Sequence, residues 1–243
     1  MPEAPVNTPR FALVTGVDPI HDWHPHLDLP ADLAAIEVAV IAGPILGDVD
    51  YISDYSGPSP DGRHRRYRGL EDVLDPQTLA HTRARLAWLL ESLLDDHESW
   101  FLFVHGGLGP DFDEPSARFH AQVHADPLPF NGDFTLFEVP VGELDHYAPL
   151  FGACDRVAGL AAPAGSFAAV LDHLSLGAAV PTGQRYRFGS PYHLTDTTAL
   201  ARVLAHGRLF FEETDNGTRL RLITATPAID RLRERLAALL EGT

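Results

Sequence analysis

Hydrophobic positions in this chain come either in short unbroken runs or at helical spacing, and the two patterns predict different elements. Trp100 to Val104 is an unbroken run that ends on His105 and two glycines. Such a run predicts a strand hidden on both faces, as in a parallel sheet. Phe11 to Val17 and Val38 to Ala42 share this character and predict two more buried strands, with a short helix over Ala31 to Glu37 between them. Asp75-Pro76 opens the clearest helix, since Asp can cap and Pro is preset for the first turn. Its apolar residues Leu79, Leu86, Leu89, Leu90, Leu93 and Leu94 follow helical spacing. Strand, helix, strand, helix, strand predicts an α/β fold with parallel pairing.

The second half reads differently. Ala117, Phe119, Ala121 and Val123 alternate with Arg118, His120, Gln122 and His124, as in a half-exposed strand. Asp133 to Val139 predicts another strand. Arg208 to Thr214 and Thr218 to Ala225 flank Asp215-Asn216-Gly217, a strong hairpin signal. Pro227 to Glu241 predicts an amphipathic closing helix, with Gly242 at its end. No repeat, low-complexity tract or linker divides the chain, so residues 1–243 are expected to form a single α/β domain, with mixed sheets flanked by helices.

Charge narrows the function classes. The formal net charge is −16, and the 18 basic residues are all arginine. This acidity argues against broad nucleic-acid or anionic-membrane binding, both of which depend on basic patches. A single cysteine, Cys154, excludes an internal disulfide and reads as an inert core thiol. The apolar stretch Leu33 to Leu46 is short and contains Glu37, so no membrane-spanning helix is expected. No basic segment precedes an apolar core at the N-terminus, so no secretory signal is expected either. These features together predict a cytoplasmic protein.

Candidate chemistry sits after the apolar runs. His105 follows the third predicted strand, where open parallel sheets hold ligands, although it can equally cap the strand and bond a loop carbonyl. Asp18, His21, Asp22, His24 and His26 follow the first strand, dense enough to ligate a divalent ion or to form a solvated loop. Asp48 and Asp50 follow the second strand, and Arg68-Gly-Leu-Glu71-Asp72 precedes the long helix. Arg63, Arg65, Arg66 and Arg68 form the basic run of an acidic chain, readable as a phosphate clamp or as a solvated loop. His173 lies in Asp172-His173-Leu-Ser175, which is either a strand-end motif or part of a helix from Phe167 to Leu174 capped by Ser166. His120 and His124 read as surface residues.

In order and spacing these segments resemble the calcineurin-like metallophosphoesterases, in particular their phosphoprotein phosphatase branch. That family carries GDxHG, GDxxD, GNHE, a strand-end histidine within HGGL, and a final histidine motif. HGGLGP at 105–110 matches well. The rest are remnants: GVDPIH has an extra residue, IAGPIL puts Pro44 at the aspartate, RGLED lacks the asparagine and histidine, and LDHLS has Ser175 where a second histidine often lies. The resemblance implies a metallophosphoesterase-like sandwich and two divalent ions (Mn, Fe or Zn) that activate a water for attack on phosphorus. It implies no nucleotide cofactor. Asp18 with His21 or His24 would serve one metal, Asp48 would bridge, and His105 and His173 would serve the second. Glu71 and Asp72 would be substitutes for the missing catalytic pair, and Arg66 and Arg68 would bind substrate.

Two functions follow as expectations. One is a metal-dependent phosphoesterase acting on a small phosphoester, with Asp18, Asp48, His105 and His173 converging. The other is an inactive relative serving as a binding or regulatory module for a protein partner, its motifs lost at Pro44, RGLED and Ser175. A chance match to HGGL would instead put His173 on a helix. A centre lacking a ligand and its proton donor would lose orders of magnitude in rate.

Overall fold

The computed structural model describes residues 10–13, 31–41, 74–105, 120–125, 132–152, 157–174, 179–180, 185–188, 204–205, 207–214 and 219–241. Among the described residues, ten strands lie in one sheet. In chain order they are β1 (Arg10–Leu13), β2 (Leu33–Ile41), β3 (Glu98–His105), β4 (His120–Ala125), β5 (Gly132–Pro140), β6 (Val157–Pro163), β7 (Ala179–Val180), β8 (Arg185–Phe188), β9 (Leu209–Thr214) and β10 (Arg219–Ala225). The helices are α1 (Pro76–Glu91), α2 (Phe167–Leu174) and α3 (Ile229–Glu241). A 3-10 segment, Leu144–Leu150, belongs to the connection from β5 to β6.

The spatial order is β1-β2-β10-β9-β6-β3-β5-β4-β8-β7. Neighbours pair antiparallel throughout, apart from the parallel pair β4–β8. The expected combination of strands and flanking helices is therefore present, but the expected parallel pairing is overturned. Burial on both faces reads the same from sequence whichever way the neighbours run. A single sheet accounts for all the described strands.

Strand alternation divides the core between two faces. On the first face, Trp100, Leu102 and Val104 of β3 line up with Phe137 and Val139 of β5 and with Phe211 of β9, Leu222 of β10 and Ile36 and Val38 of β2. Leu86, Leu89 and Leu90 of α1, Leu144, Tyr147 and Leu150 of the 3-10 segment, and Leu232 and Leu236 of α3 cover that face. On the second face Phe101, Phe103, Leu136, Leu160 and Phe210 are all fully buried. There α2 packs with Phe167 stacked on Phe101, ring centres 6.3 Å apart.

Local chemistry explains the helices. Asp75 caps α1 by accepting from the backbone N–H of Gln77 and Thr78 at 3.1 and 3.0 Å. These bonds, with the Thr78 hydroxyl foremost, hold its carboxyl below the usual range. At the other end, the Trp100 indole N–H donates at 3.0 Å to the Leu90 carbonyl, which also accepts the Leu93 N–H at 3.1 Å, so one last-turn carbonyl ties the helix to β3. The expected helix over Ala31 to Glu37 is a correction, because Leu33 to Ile41 forms β2. Its two neighbours, β1 and β10, supply a backbone ladder on both sides, and that tertiary pairing overrides the helix preference of its alanines. The hairpin at Asp215-Asn216-Gly217 joins antiparallel β9 and β10 as expected, although the turn itself lies outside the described residues. No helix among the described residues is long and apolar enough to cross a membrane.

One cluster of charges ties the sheet to two helices. Arg208 donates to both oxygens of Glu98 and, at 2.8 Å, to the Leu93 carbonyl just beyond α1. Arg235 of α3 reaches Asp95 at 3.2 Å and the Leu94 carbonyl at 3.0 Å. Glu98 is only 6% exposed, so removing Arg208 strands a buried carboxylate. Arg208→Ala is expected to cost about 2–3 kcal/mol in urea unfolding, below the range for a fully buried pair because the guanidinium is partly solvated. At the sheet centre, a Cβ on Gly159 would lie 2.3 Å from the Phe211 ring. Gly159→Ala is expected to lower stability by about 1–3 kcal/mol in the same measurement, through overpacking.

Candidate functional site

Two neighbouring acids on β9 face opposite sides of the sheet. Glu212 turns to the second face, where Arg221 bridges it at 3.2 Å and Glu37 at 2.9 Å. The register sets the three directly opposite one another across β2, β10 and β9. Glu213 turns to the first face, among leucine and phenylalanine side chains. It is 7% exposed and, among the described residues, accepts the Gly152 N–H alone, at 3.1 and 3.4 Å to its two oxygens. Gly152 can present that N–H because it sits at φ 71°. Arg83 of α1 lies close enough to act on Glu213 and donates through Nε to the Phe151 carbonyl at 2.7 Å.

Burial dominates the electrostatics of this corner. It pushes the Glu213 carboxyl up to about 8, against the opposing pull of Gly152 and Arg83. At neutral pH Glu213 is thus a proton-bearing acid within an apolar core. Such a group is chemically able to give up or hold a proton near pH 7, the property expected of general acid–base residues.

The residues singled out from sequence are distributed as follows. Asp18, His21, His24, Asp48, Arg66, Arg68, Glu71 and Asp72 lie outside the described residues. His105 ends β3, as expected, opposite Phe134 of β5. His173 lies in α2, so its helical alternative is the one observed; the Ser166 backbone carbonyl accepts the Val170 N–H at the first turn, while the Ser166 hydroxyl donates to the Pro163 carbonyl and does not make the expected cap. Alternation along β3 assigns position 105 to the face on which α2 lies, and α2 packs beside β8. The strand-end rule that favoured His105 applies to parallel sheets; here β3 runs antiparallel to both β5 and β6.

Among the described residues no group of three or more His, Cys, Asp and Glu side chains is placed to hold a divalent metal. Glu37, Glu98 and Glu212 are engaged by guanidinium groups instead. Sequence reasoning passed over Glu213. The signal was Phe-Phe-Glu-Glu-Thr, in which consecutive acids in a strand must face opposite sides, so that a covered sheet buries both. No known family model, curated protein or solved structure matches the chain.

Glu213 makes stability depend on pH. The unfolded chain releases this proton near pH 4.5, whereas the folded protein holds it to about pH 8. Between those values the folded state binds more protons, so its stability falls as pH rises and levels off above about 8. The stabilising contribution is complete below about pH 4.5 and amounts to a few kcal/mol, to order of magnitude, across the window. Urea midpoints measured from pH 4.5 to 9 are expected to show this decline for the native protein, and a much flatter profile for Glu213→Gln.

Proposed function

We propose that this chain is a binding or regulatory module for a protein partner rather than a two-metal phosphoester hydrolase. The observation that carries this reading is the direction of the strands. A metal set of Asp18, Asp48, His105 and His173 was expected from loops gathered at one edge of a parallel sheet. Here β1 and β2 run antiparallel, so their carboxyl ends point in opposite directions. β2 and β3 do end at the same side of the sheet, but three strands stand between them. Four interstrand steps separate their ends by roughly 19 Å, far beyond the ~3.5–4 Å between paired catalytic metals. The departures at Pro44, in RGLED and at Ser175 support the same reading. A charge of −16 suits a partner with a basic surface, which the acidic field would attract.

A second reading keeps a reduced metal site and the metallophosphoesterase-like sandwich. It is favoured by one observation, that α2, which carries His173, lies on the face of β3 to which position 105 belongs. The deciding experiment is metal content by mass spectrometry after growth with manganese and dialysis, together with hydrolysis of p-nitrophenyl phosphate. The module is expected to retain less than a tenth of an equivalent (roughly; a stoichiometric site would hold a full one) and to hydrolyse no faster than buffer. Two equivalents with turnover, both lost in His105→Ala, would overturn it. One equivalent lost in both His105→Ala and His173→Ala would select the reduced site.

A further inference from the structure

We propose that Ser99 and Glu138 together bind one internal water molecule, seated between β3 and β5 beneath the turn that leads into α2. In the register of these strands Ser99 stands opposite Pro140 and Phe101 opposite Glu138. Ser99 and Glu138 are therefore diagonal neighbours on the second face, a relation that spans about 7 Å. Ser99 is fully buried and Glu138 is 7% exposed. One oxygen of Glu138 accepts the Gly165 N–H at 2.5 Å. Its other oxygen, Oε2, and the hydroxyl Oγ of Ser99 are both buried without a hydrogen-bond partner.

Two unsatisfied polar atoms on diagonal neighbours of one face, the only such side-chain atoms among the described residues of the sheet, mark a site with a definite occupant. A buried carboxylate oxygen or hydroxyl without a partner carries its full desolvation cost. A single water removes both deficits: the Ser99 hydroxyl donates to the water, and the water donates to Glu138 Oε2. Two oxygens bridged in this way stand about 4.5–5.5 Å apart, each bond being about 2.8 Å, which the long glutamate side chain reaches from a diagonal position. Internal waters take two to four such partners. The site would add a side-chain link between β3 and β5 beside the Gly165 turn, which Glu138 already holds through the Gly165 N–H.

A high-resolution crystal structure of the full chain tests this directly. The expected result is one isolated density peak within about 2.6–3.2 Å of both oxygens, lost in Ser99→Ala, together with water-to-amide cross-relaxation at Gly165 in solution. A direct bond between the Ser99 hydroxyl and Glu138, with no peak between them, would overturn the proposal. So would a peak that anomalous scattering identifies as a metal cation. The native protein alone decides the matter if Ser99→Ala does not fold.

Discussion

Burial of β3 on both faces is the constraint on which the architecture depends. Trp100, Leu102 and Val104 must be covered on one side, and Phe101 and Phe103 on the other. An antiparallel sheet usually leaves one face to water, so this one needs a helical layer on each side. α1, the 3-10 segment and α3 form the first layer, and α2 contributes to the second. The Trp100 side chain links these parts, with its ring edge-on to Phe211 at 4.9 Å and its N–H on the α1 carbonyl of Leu90.

The same double coverage sets the electrostatics. An acid on a strand buried on both sides has no solvent to turn to, whichever face it occupies. Glu212 is satisfied by the cross-strand guanidinium of Arg221, and Glu98 by Nε and Nη2 of Arg208. These forked contacts use the planar geometry of arginine, which an ammonium group would not reproduce. Glu213, lacking so direct a partner, keeps its proton instead. Charge pairing and proton retention are two responses to one problem, and the adjacent Glu212 and Glu213 of β9 show one each.

Strand direction also changes what the His105-Gly-Gly motif means. At the carboxyl end of a parallel strand such a histidine would sit among the ends of its neighbours. In this sheet the same end meets the amino end of β6 and the start of β5. A functional centre at this position must be assembled by loops and by α2, not by aligned strand ends. The proposed module follows from that geometry and from the missing residues of the phosphoesterase motifs.

Several elements were legible from residue order because their causes are local. Asp75-Pro76 caps and starts α1, the Asp215-Asn216-Gly217 signal falls between antiparallel β9 and β10, and leucine spacing marks α3. The candidate site was legible only as a series of residue types: His105 falls at a strand end as expected, and His173 in a helix that had been one of two alternatives. Tertiary structure decided the rest. It made Leu33–Glu37 a strand by offering ladders on both sides, set β3 antiparallel to both neighbours, and gave Glu213 its proton by enclosing it beneath α1. Periodicity along the chain records how often a residue is buried. Which strand lies beside it, and in which direction, depends on contacts between residues far apart in sequence, and those are settled only when the whole sheet closes around its core.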